Sequence, residues 1–417
     1  MSKCIKSGFV FFNFIFFLIV IAYPQDVKKN FITCRAVIHR PDGNEIPFTM
    51  LVSRDPKKPV WVISNGAEHI ELKSIKRLGD TLVALFPVFE SQFHLSIQRQ
   101  EEWEGFWYKG AAMGFATQAL SVYPNQDFRF KANPEKPHYT ITGRWAVTFT
   151  RANNTTRSAV AEFSQSGNKL TGTFLNPSGD YRYLEGIVSG DSLMLSTFDG
   201  SHAYSFHALI ASDQQISSGL YCSGTAHKES WTAVKNADAK LPGDPPTLAV
   251  HENAEYLNFS FPDIEGKMIS IRDKQFKDKV VIIQLLGSWC PNCMDETAFM
   301  SEFYKKNKNR GVEVIGLAYE YSTDLERSKK SVQKFRDRFD VKYPLLITGV
   351  TAADSLRTEK TLPQLKKIEN FPTTIFVDKS GRVRKIHTGF NGPATGEHYD
   401  EQKNFFNEFV DVLLKDL

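Results

Sequence analysis

The stretch KVVIIQLLGSWCPNCMDE, Lys279 to Glu296, decides the fold of the C-terminal part of the chain. Its first half is a continuous apolar run, which is typical of a strand buried on both faces of a sheet. Cys290 and Cys293 follow after a short turn, and the next residues repeat apolar side chains at i, i+4 spacing, as in a helix. The two cysteines are therefore predicted at the junction between a buried strand and the first turn of a helix.

This position gives the two cysteines different environments. A helix N-terminus carries partial positive charge and free N–H groups, so it stabilises a thiolate at Cys290. Pro291 suits the first helical turn, where no N–H is needed. Cys293 lies one turn further on the same face, and we expect it to be the more buried of the two. The spacing predicts an exposed nucleophile at Cys290 and a resolving thiol at Cys293, which together exchange disulfides.

The chain after Pro246 alternates predicted strands and helices. A second apolar run, GVEVIGLAY, predicts another strand, and PTTIFVDKSGRVRKIHTG predicts a hairpin that turns at Asp378 to Gly381. Two helices are indicated by apolar residues on one face, the first with Leu325, Ser328, Val332, Phe335 and Phe339, the second with Phe406, Phe409, Val410, Leu413 and Leu417. This order predicts an α/β unit with a mixed sheet.

Two segments of this unit carry a family resemblance. LLGSWCPNCMDE, with NFPTTIFVDKSGRVRKIHTGF about eighty residues later, resembles the thioredoxin superfamily, and more narrowly the TlpA/ResA-type exported thiol–disulfide oxidoreductases. The resemblance covers roughly Pro246 to Leu417. It implies a thioredoxin-like fold in which Pro372 is a cis proline beside the active site. It also implies a substrate groove formed by Trp289, Pro291, Phe371 and Pro372.

The resemblance also bears on proton handling. Thioredoxins carry a buried Asp six residues before the first cysteine, where this chain has Gln284, which cannot take a proton. TlpA/ResA-type proteins carry a Glu three residues after the second cysteine, which here is Glu296. The resemblance implies that Glu296 accepts the proton of Cys293 as that thiol attacks. The alternative interpretation is that Glu296 is only a favourable acid near a helix N-terminus.

The N-terminal part of the chain has a different pattern. Residues 25–240 contain short runs of β-forming residues separated by Gly, Asn, Asp and Ser, which predicts an all-β barrel or sandwich. A break near residues 131–137 allows a division into two subdomains. The Pro/Gly-rich segment at residues 241–250 is predicted to be a linker, and residues 251–417 form the thioredoxin-like domain. The chain is therefore predicted to be multidomain.

The first residues predict export. Residues 1–22 combine Lys3 and Lys6 with an apolar run of signal-peptide length, and an uncleaved membrane anchor is the alternative. Export to the periplasm or cell envelope exposes the other cysteines to an oxidising compartment. Cys34 and Cys222, near the two ends of the β-rich region, could form a structural disulfide or remain two isolated buried thiols.

Composition and cysteine count exclude other functions. The formal net charge of +4 is small for 417 residues and indicates no nucleic-acid partner. A zinc site commonly needs four ligands, and the CxxC pair has no second pair to complete one, so we expect no metal and no cofactor.

Two functions from different classes remain. We expect a protein-disulfide oxidoreductase, more specifically a reductase, that acts on protein disulfide substrates. The family resemblance implies that it receives electrons from a membrane-bound thiol protein. The dipeptide between the cysteines, Pro291-Asn292, leaves the direction of electron flow open. The alternative is an envelope binding or adhesion module whose β-rich domain is the working part, with the redox pair in a minor or sensing role.

Overall fold

The computed structural model describes residues 30–243, 249–252 and 254–416. The predicted signal peptide at residues 1–22 lies outside the described residues, as do Leu417 and the middle of the predicted linker, residues 244–248. Two all-β units are followed by a unit of mixed strands and helices. The predicted fold class, an all-β N-terminal part followed by an α/β thioredoxin-like domain, is confirmed.

The first all-β unit is a barrel-like antiparallel sheet. Its spatial order is β4-β3-β2-β1-β9-β8-β7-β6-β5, so its two edge strands follow each other directly in sequence. Phe48, Phe93 and Trp107 lie in its core. Its strands are Phe31–His39 (β1), Glu45–Ser53 (β2), Trp61–Asn65 (β3), Glu68–Leu72 (β4), Ser74–Leu78 (β5), Thr81–Leu85 (β6), Ser91–Ser96 (β7), Trp103–Ala111 (β8) and Gly114–Pro124 (β9).

The second all-β unit is a closed antiparallel barrel. Its strands are Gly143–Thr150 (β10), Thr156–Ser166 (β11), Lys169–Asn176 (β12), Gly179–Asp180 (β13), Leu184–Ser189 (β14), Ser192–Phe198 (β15), Ala203–Ser212 (β16), Gln215–Ser223 (β17) and His227–Lys235 (β18). Strand β10 pairs with both β11 and β18, and β12 pairs with both β11 and β14, which closes the ring. Buried aromatic side chains, among them Trp145, Phe174, Phe206 and Trp231, fill the interior, as expected for a barrel of this size.

The two isolated cysteines belong to different barrels. Cys34 lies on β1 of the first barrel and Cys222 on β17 of the second. Both are buried free thiols, and burial raises the pKa of each, that of Cys34 to about 12. The disulfide that the sequence left open is not formed, because the first and last strands of the β-rich region do not belong to one closed sheet.

The C-terminal unit is a five-stranded mixed sheet with helices. Its central sheet has the order β23-β22-β21-β24-β25. Strands β21, β22 and β23 are parallel to one another, and β24 is antiparallel to both of its neighbours, β21 and β25. Its strands are Ser260–Pro262 (β19), Met268–Ser270 (β20), Val280–Leu286 (β21), Val312–Ala318 (β22), Leu345–Ile347 (β23), Thr373–Val377 (β24) and Val383–Thr388 (β25). Its α-helices are Pro291–Asn307 (α1), Leu325–Phe339 (α2), Arg357–Thr361 (α3) and Glu397–Lys415 (α4).

Strand β21 is buried along its whole length because both of its faces are covered. Ile282 packs with Phe299 of α1 and Phe406 of α4 on one face. Ile283 packs on the other face with Leu362, which follows α3. The continuous apolar run that predicted this strand is the direct result of this double burial. The sheet thereby fixes the end of β21, where the two cysteines begin.

No helix of the described residues is both long enough and apolar enough to cross a bilayer.

Candidate redox site

The cysteine pair lies where the sequence predicted it, at the start of α1. Cys290 is the N-cap of this helix, and its Sγ accepts a hydrogen bond of 3.3 Å from the backbone N–H of Cys293. Pro291 occupies the first helical position, where its missing N–H costs nothing. Both thiols are free, and both sulfurs lie on the side of the helix that meets the sheet.

The expected exposure of Cys290 is wrong. Cys293 is fully buried, as predicted, but Cys290 is also buried, with 6% of its surface exposed. The reason is the second barrel, which covers the thiol. Cys290 lines a cavity of about 230 Å³ whose opposite wall is formed by Tyr181, Tyr204 and Tyr221 of that barrel.

The residues predicted to form the substrate groove lie together beside Cys290. Its thiol donates a long hydrogen bond of 3.7 Å to the carbonyl oxygen of Phe371, and the Phe371–Pro372 peptide bond is cis. The Trp289 ring meets Phe371 edge to face, with 6.1 Å between ring centroids. Trp289, Pro291 and Phe371 line the cavity, whereas Pro372 is not among its lining residues.

Glu296 is fully buried one helical turn beyond Cys293. Its Oε1 accepts a hydrogen bond of 2.5 Å from Thr374, and its Oε2 accepts one of 2.7 Å from the Gln284 amide. Burial raises the pKa of Glu296 to about 7, although these two hydrogen bonds favour the carboxylate and oppose the shift. A favourable interaction with the helix N-terminus does not by itself account for such complete burial.

Burial and two neighbouring groups raise the pKa of the Cys293 thiol. Burial raises the pKa of Cys293 well above its usual value, and the Cys290 sulfur and the Glu296 carboxylate raise it further. Cys293 is therefore a poor nucleophile until a base removes its proton. Among the described residues, no group of three or more His, Cys, Asp or Glu side chains is arranged to hold a metal ion. The chemistry that the site offers is that of a dithiol beside a buried carboxyl group.

Comparison with known proteins places this site in a family. Residues 252–402 match the Redoxin family model. The thiol–disulfide oxidoreductase ResA of Bacillus thuringiensis subsp. konkukian is 33% identical over 147 residues, which are 35% of this chain and 73% of that protein. ResA of Bacillus subtilis is 28% identical over 141 residues, 34% of this chain and 69% of its own length. The chain belongs to the ResA thiol–disulfide oxidoreductase family.

A solved structure was also matched by the C-terminal part of this ResA-family chain. It is a putative thiol:disulfide interchange protein DsbE from Chlorobium tepidum, with a TM-score of 0.29 and 18% sequence identity. The match covers 38% of this chain and 93% of the other. The two all-β units of this ResA-family chain lie outside the Redoxin match.

Gln284 has a positioning contact that sequence reasoning did not assign. In this ResA-family protein its amide donates to Glu296 and also to Thr297, at 2.7 and 2.9 Å, and its oxygen accepts a hydrogen bond of 3.0 Å from Tyr343. The sequence showed only that Gln284 cannot carry the proton of the Asp found in thioredoxins. Its burial in the centre of β21 was the available signal, because a buried amide needs partners for both ends.

Glu320 is a second buried carboxyl group that sequence reasoning missed. It accepts hydrogen bonds from the backbone N–H and the hydroxyl of Ser288, at 2.9 and 2.6 Å, and so holds the turn that leads to Cys290. Burial raises the pKa of Glu320 to about 7. The signal was its position two residues after β22, since the carboxyl ends of parallel neighbours β21 and β22 meet at one edge of the sheet.

Proposed function

We propose that this chain is an exported reductase of protein disulfides that works through Cys290 and Cys293. Family membership supports disulfide exchange as its reaction. The observation that carries the assignment to these two residues is their arrangement, in which Cys290 caps a helix beside the Phe371 carbonyl and Cys293 is buried one turn further in. This is the relation that a nucleophilic and a resolving thiol require.

The proposed reaction has two exchange steps. The Cys290 thiolate attacks one sulfur of the substrate disulfide, a mixed disulfide forms, and the other substrate sulfur leaves as a thiolate. Glu296 then takes the proton of Cys293, and the Cys293 thiolate attacks the Cys290 sulfur. The second substrate thiolate leaves, and the enzyme is left with a Cys290–Cys293 disulfide. The substrate gains two electrons, which the enzyme dithiol has lost.

The substrate chain is proposed to bind across the groove beside the thiols. The Phe371 backbone, held by the cis bond to Pro372, faces this extended segment, and Trp289 and Pro291 form the apolar wall next to Cys290. The supporting contacts are the hydrogen bond from the Cys290 thiol to the Phe371 carbonyl and the packing of Trp289 against Phe371. Main-chain pairing of this kind binds a peptide with little dependence on its sequence.

The burial of the resolving thiol supports the proposed direction of electron flow. A low dielectric environment disfavours thiolates, and the raised pKa of Cys293 reflects this. Because the reduced form gains little stabilisation, the disulfide form is favoured and the pair gives up its electrons. The enzyme then needs a donor but no cofactor of its own. We assign that role to a membrane-bound thiol protein, and the location to the periplasm or cell envelope, with a membrane tether if the signal is not cleaved.

Trapping the mixed disulfide tests this function. Cys290→Ser is expected to abolish dithiothreitol-driven reduction of a disulfide-linked peptide, because the attacking sulfur is gone. Cys293→Ser is expected to accumulate a covalent enzyme–peptide adduct, which mass spectrometry detects. Cys34→Ala in the first barrel is the control and should turn over like the wild type. Turnover by Cys290→Ser at the wild-type rate would contradict the proposal.

The Cys290→Ser variant also distinguishes the reductase from the alternative function. A binding or adhesion module that works through its β-rich domain would keep its activity in Cys290→Ser, whereas a reductase loses it. The comparisons lend the binding module no support, because the family match falls on the domain that carries the cysteines.

A further inference from the structure

The second barrel supplies most of the residues that line the cavity around Cys290, and this carries an inference about the substrate. We propose that this barrel determines specificity: it restricts Cys290 to disulfides carried on an extended, flexible stretch of polypeptide and excludes those on the surface of a folded protein. The inference rests on the redox function proposed above. It assigns a role to the β-rich part of the chain, which the family match does not cover.

The first argument is the size of the space in front of the thiol. The cavity that contains Cys290 has a volume of about 230 Å³. Pockets that hold drug-sized ligands measure about 300–1,000 Å³, so this space accepts a cystine bridge with its nearest neighbours and little more. A disulfide on a folded surface cannot bring its sulfur to Cys290 without displacing Tyr204 or its neighbours. An extended chain presents a narrower profile.

The second argument is the close fit between the barrel and the active-site helix. The segment at residues 177–182 lies against the start of α1, where the Asn292 amide donates a hydrogen bond of 3.1 Å to the Ser178 carbonyl. At Gly179 φ is +128°, and a Cβ there would lie 2.3 Å from the Asn292 amide nitrogen and 2.6 Å from the Phe390 carbonyl oxygen. Only glycine fits this close to the Asn292 side chain and the Phe390 carbonyl.

A buried cation joins all three units of the chain beside the cavity. The Arg182 guanidinium forms ion pairs with Asp295 of α1 and with Glu68 of the first barrel. It also donates a hydrogen bond of 3.3 Å to the Pro291 carbonyl. Burial opposes its charge, but the carboxylates of Asp295 and Glu68 outweigh burial and hold the pKa of Arg182 well above its usual range. Such buried ion pairs fix the positions of the three units relative to one another, because a buried charge that has lost its partner is strongly unfavourable.

Two more contacts hold the barrels against the redox domain. The Ser201 hydroxyl donates a hydrogen bond of 2.7 Å to the carbonyl of Trp289, directly beside the thiol. Glu90 of the first barrel forms an ion pair of 2.6 Å with Arg327 of α2. Both barrels are therefore attached to the redox domain. The part of the second barrel that covers Cys290, called the roof below, acts as a wall of the substrate site.

Rates on matched substrates test the inference with the full-length protein. The substrates are the small disulfide dithiobis(nitrobenzoate), a disulfide-linked peptide, and the folded protein from which the peptide is taken, with the same disulfide at its surface. The rate on the peptide and the rate on the folded protein are each divided by the rate at which dithiothreitol reduces the same substrate, which corrects for intrinsic reactivity. The corrected rate on the peptide is expected to exceed that on the folded protein by at least roughly tenfold. Equal corrected rates would overturn the inference.

Two variants alter the roof in different ways. Gly179→Ala places a methyl group against Asn292, and Tyr204→Ala removes an aromatic wall without touching the contacts between domains. Either change is expected to raise the folded-protein rate relative to the peptide rate by roughly tenfold. The matched control is Leu209→Ala, an exposed position on the same strand as Tyr204, which should leave this ratio unchanged.

The outcomes distinguish the specificity role of the second barrel from the redox function. An unchanged ratio in both roof variants would overturn the specificity role while the redox function stands. If the wild type fails to reduce even dithiobis(nitrobenzoate), the redox function is wrong and the specificity role falls with it.

Discussion

The Thr374 hydroxyl donates a hydrogen bond of 2.5 Å to Oε1 of Glu296. This contact joins β24, which follows the cis Phe371–Pro372 bond, to the helix that carries both cysteines. Because Glu296 is buried and its pKa is raised to about 7, the proton on this carboxyl group is exchangeable near neutral pH. The site thus holds a proton acceptor matched to the release of a thiol proton.

Glu296→Gln is expected to slow the resolution step and remove its pH dependence. Below about pH 7 the carboxyl group is protonated and cannot act as a base, so the wild-type rate rises as pH increases through that value. The amide cannot accept a proton at any pH, and the loss of a general base lowers the rate by roughly a hundredfold on the alkaline side. Stopped-flow measurement of the decay of the mixed disulfide against pH gives this profile.

Glu320→Gln is the matched control for that experiment. Glu320 is also buried with its pKa raised to about 7, but it binds Ser288 and is not among the groups that act on Cys293. We expect it to keep the inflection near pH 7. The general-base role fails if Glu296→Gln keeps the inflection as well.

The same carboxyl groups make the stability of the fold depend on pH. In the folded state the pKa of Glu296 is about 7, above its ordinary value of 4.5. The contribution of this carboxyl group to the free energy of unfolding is therefore complete below pH 4.5 and is lost as the pH rises through 7. A shift of this size corresponds to about 3 kcal/mol for a fully buried group. Glu320 contributes in the same direction. Urea unfolding at pH values on either side of this window should show wild type losing more stability than either Gln variant; equal losses would contradict this.

The reduction potential decides the direction of electron flow. We expect a value close to the ~−270 mV of thioredoxin, because burial disfavours the thiolate form of Cys293. Equilibration of the full-length protein against dithiothreitol or glutathione buffers, with the dithiol fraction read by alkylation, measures it. A value near the ~−120 mV of DsbA would mean that the protein makes disulfides, and the reductase assignment would be wrong.

Local patterns in the sequence predicted the thioredoxin-like fold well. The apolar run before the cysteines is β21, the helix begins at Pro291, and the hairpin turns at Asp378 to Gly381, where the Gly381 N–H donates to the Asp378 carbonyl. Each of these features is set by neighbours in sequence, through burial on two faces, a helix cap or a turn. The barrel-or-sandwich prediction left the closure of the second barrel open, because β10 pairs with β18 across about eighty residues.

The roof over Cys290 was beyond sequence reasoning. The contacts of Arg182 with Asp295 and of Ser201 with Trp289 join residues about a hundred positions apart, and no local pattern marks them. Helix position alone predicted an exposed Cys290, since the cysteine precedes the first turn. The tertiary contact with the second barrel reverses that exposure without changing the local structure.

The stability of the second barrel depends on its aromatic interior. Phe206 on β16 is fully buried and stacks on Phe174 and Tyr221, with ring centroids 4.5 and 4.7 Å apart. Phe206→Ala removes both contacts and leaves a cavity, so the free energy of unfolding should fall by about 3–5 kcal/mol. Leu209→Ala, exposed on the same strand, should change it by less than about 0.5 kcal/mol. Urea denaturation of both variants measures the difference. Similar effects from the two substitutions would show that Phe206 is not part of a packed interior, and the Tyr221 wall of the redox cavity would lose its support.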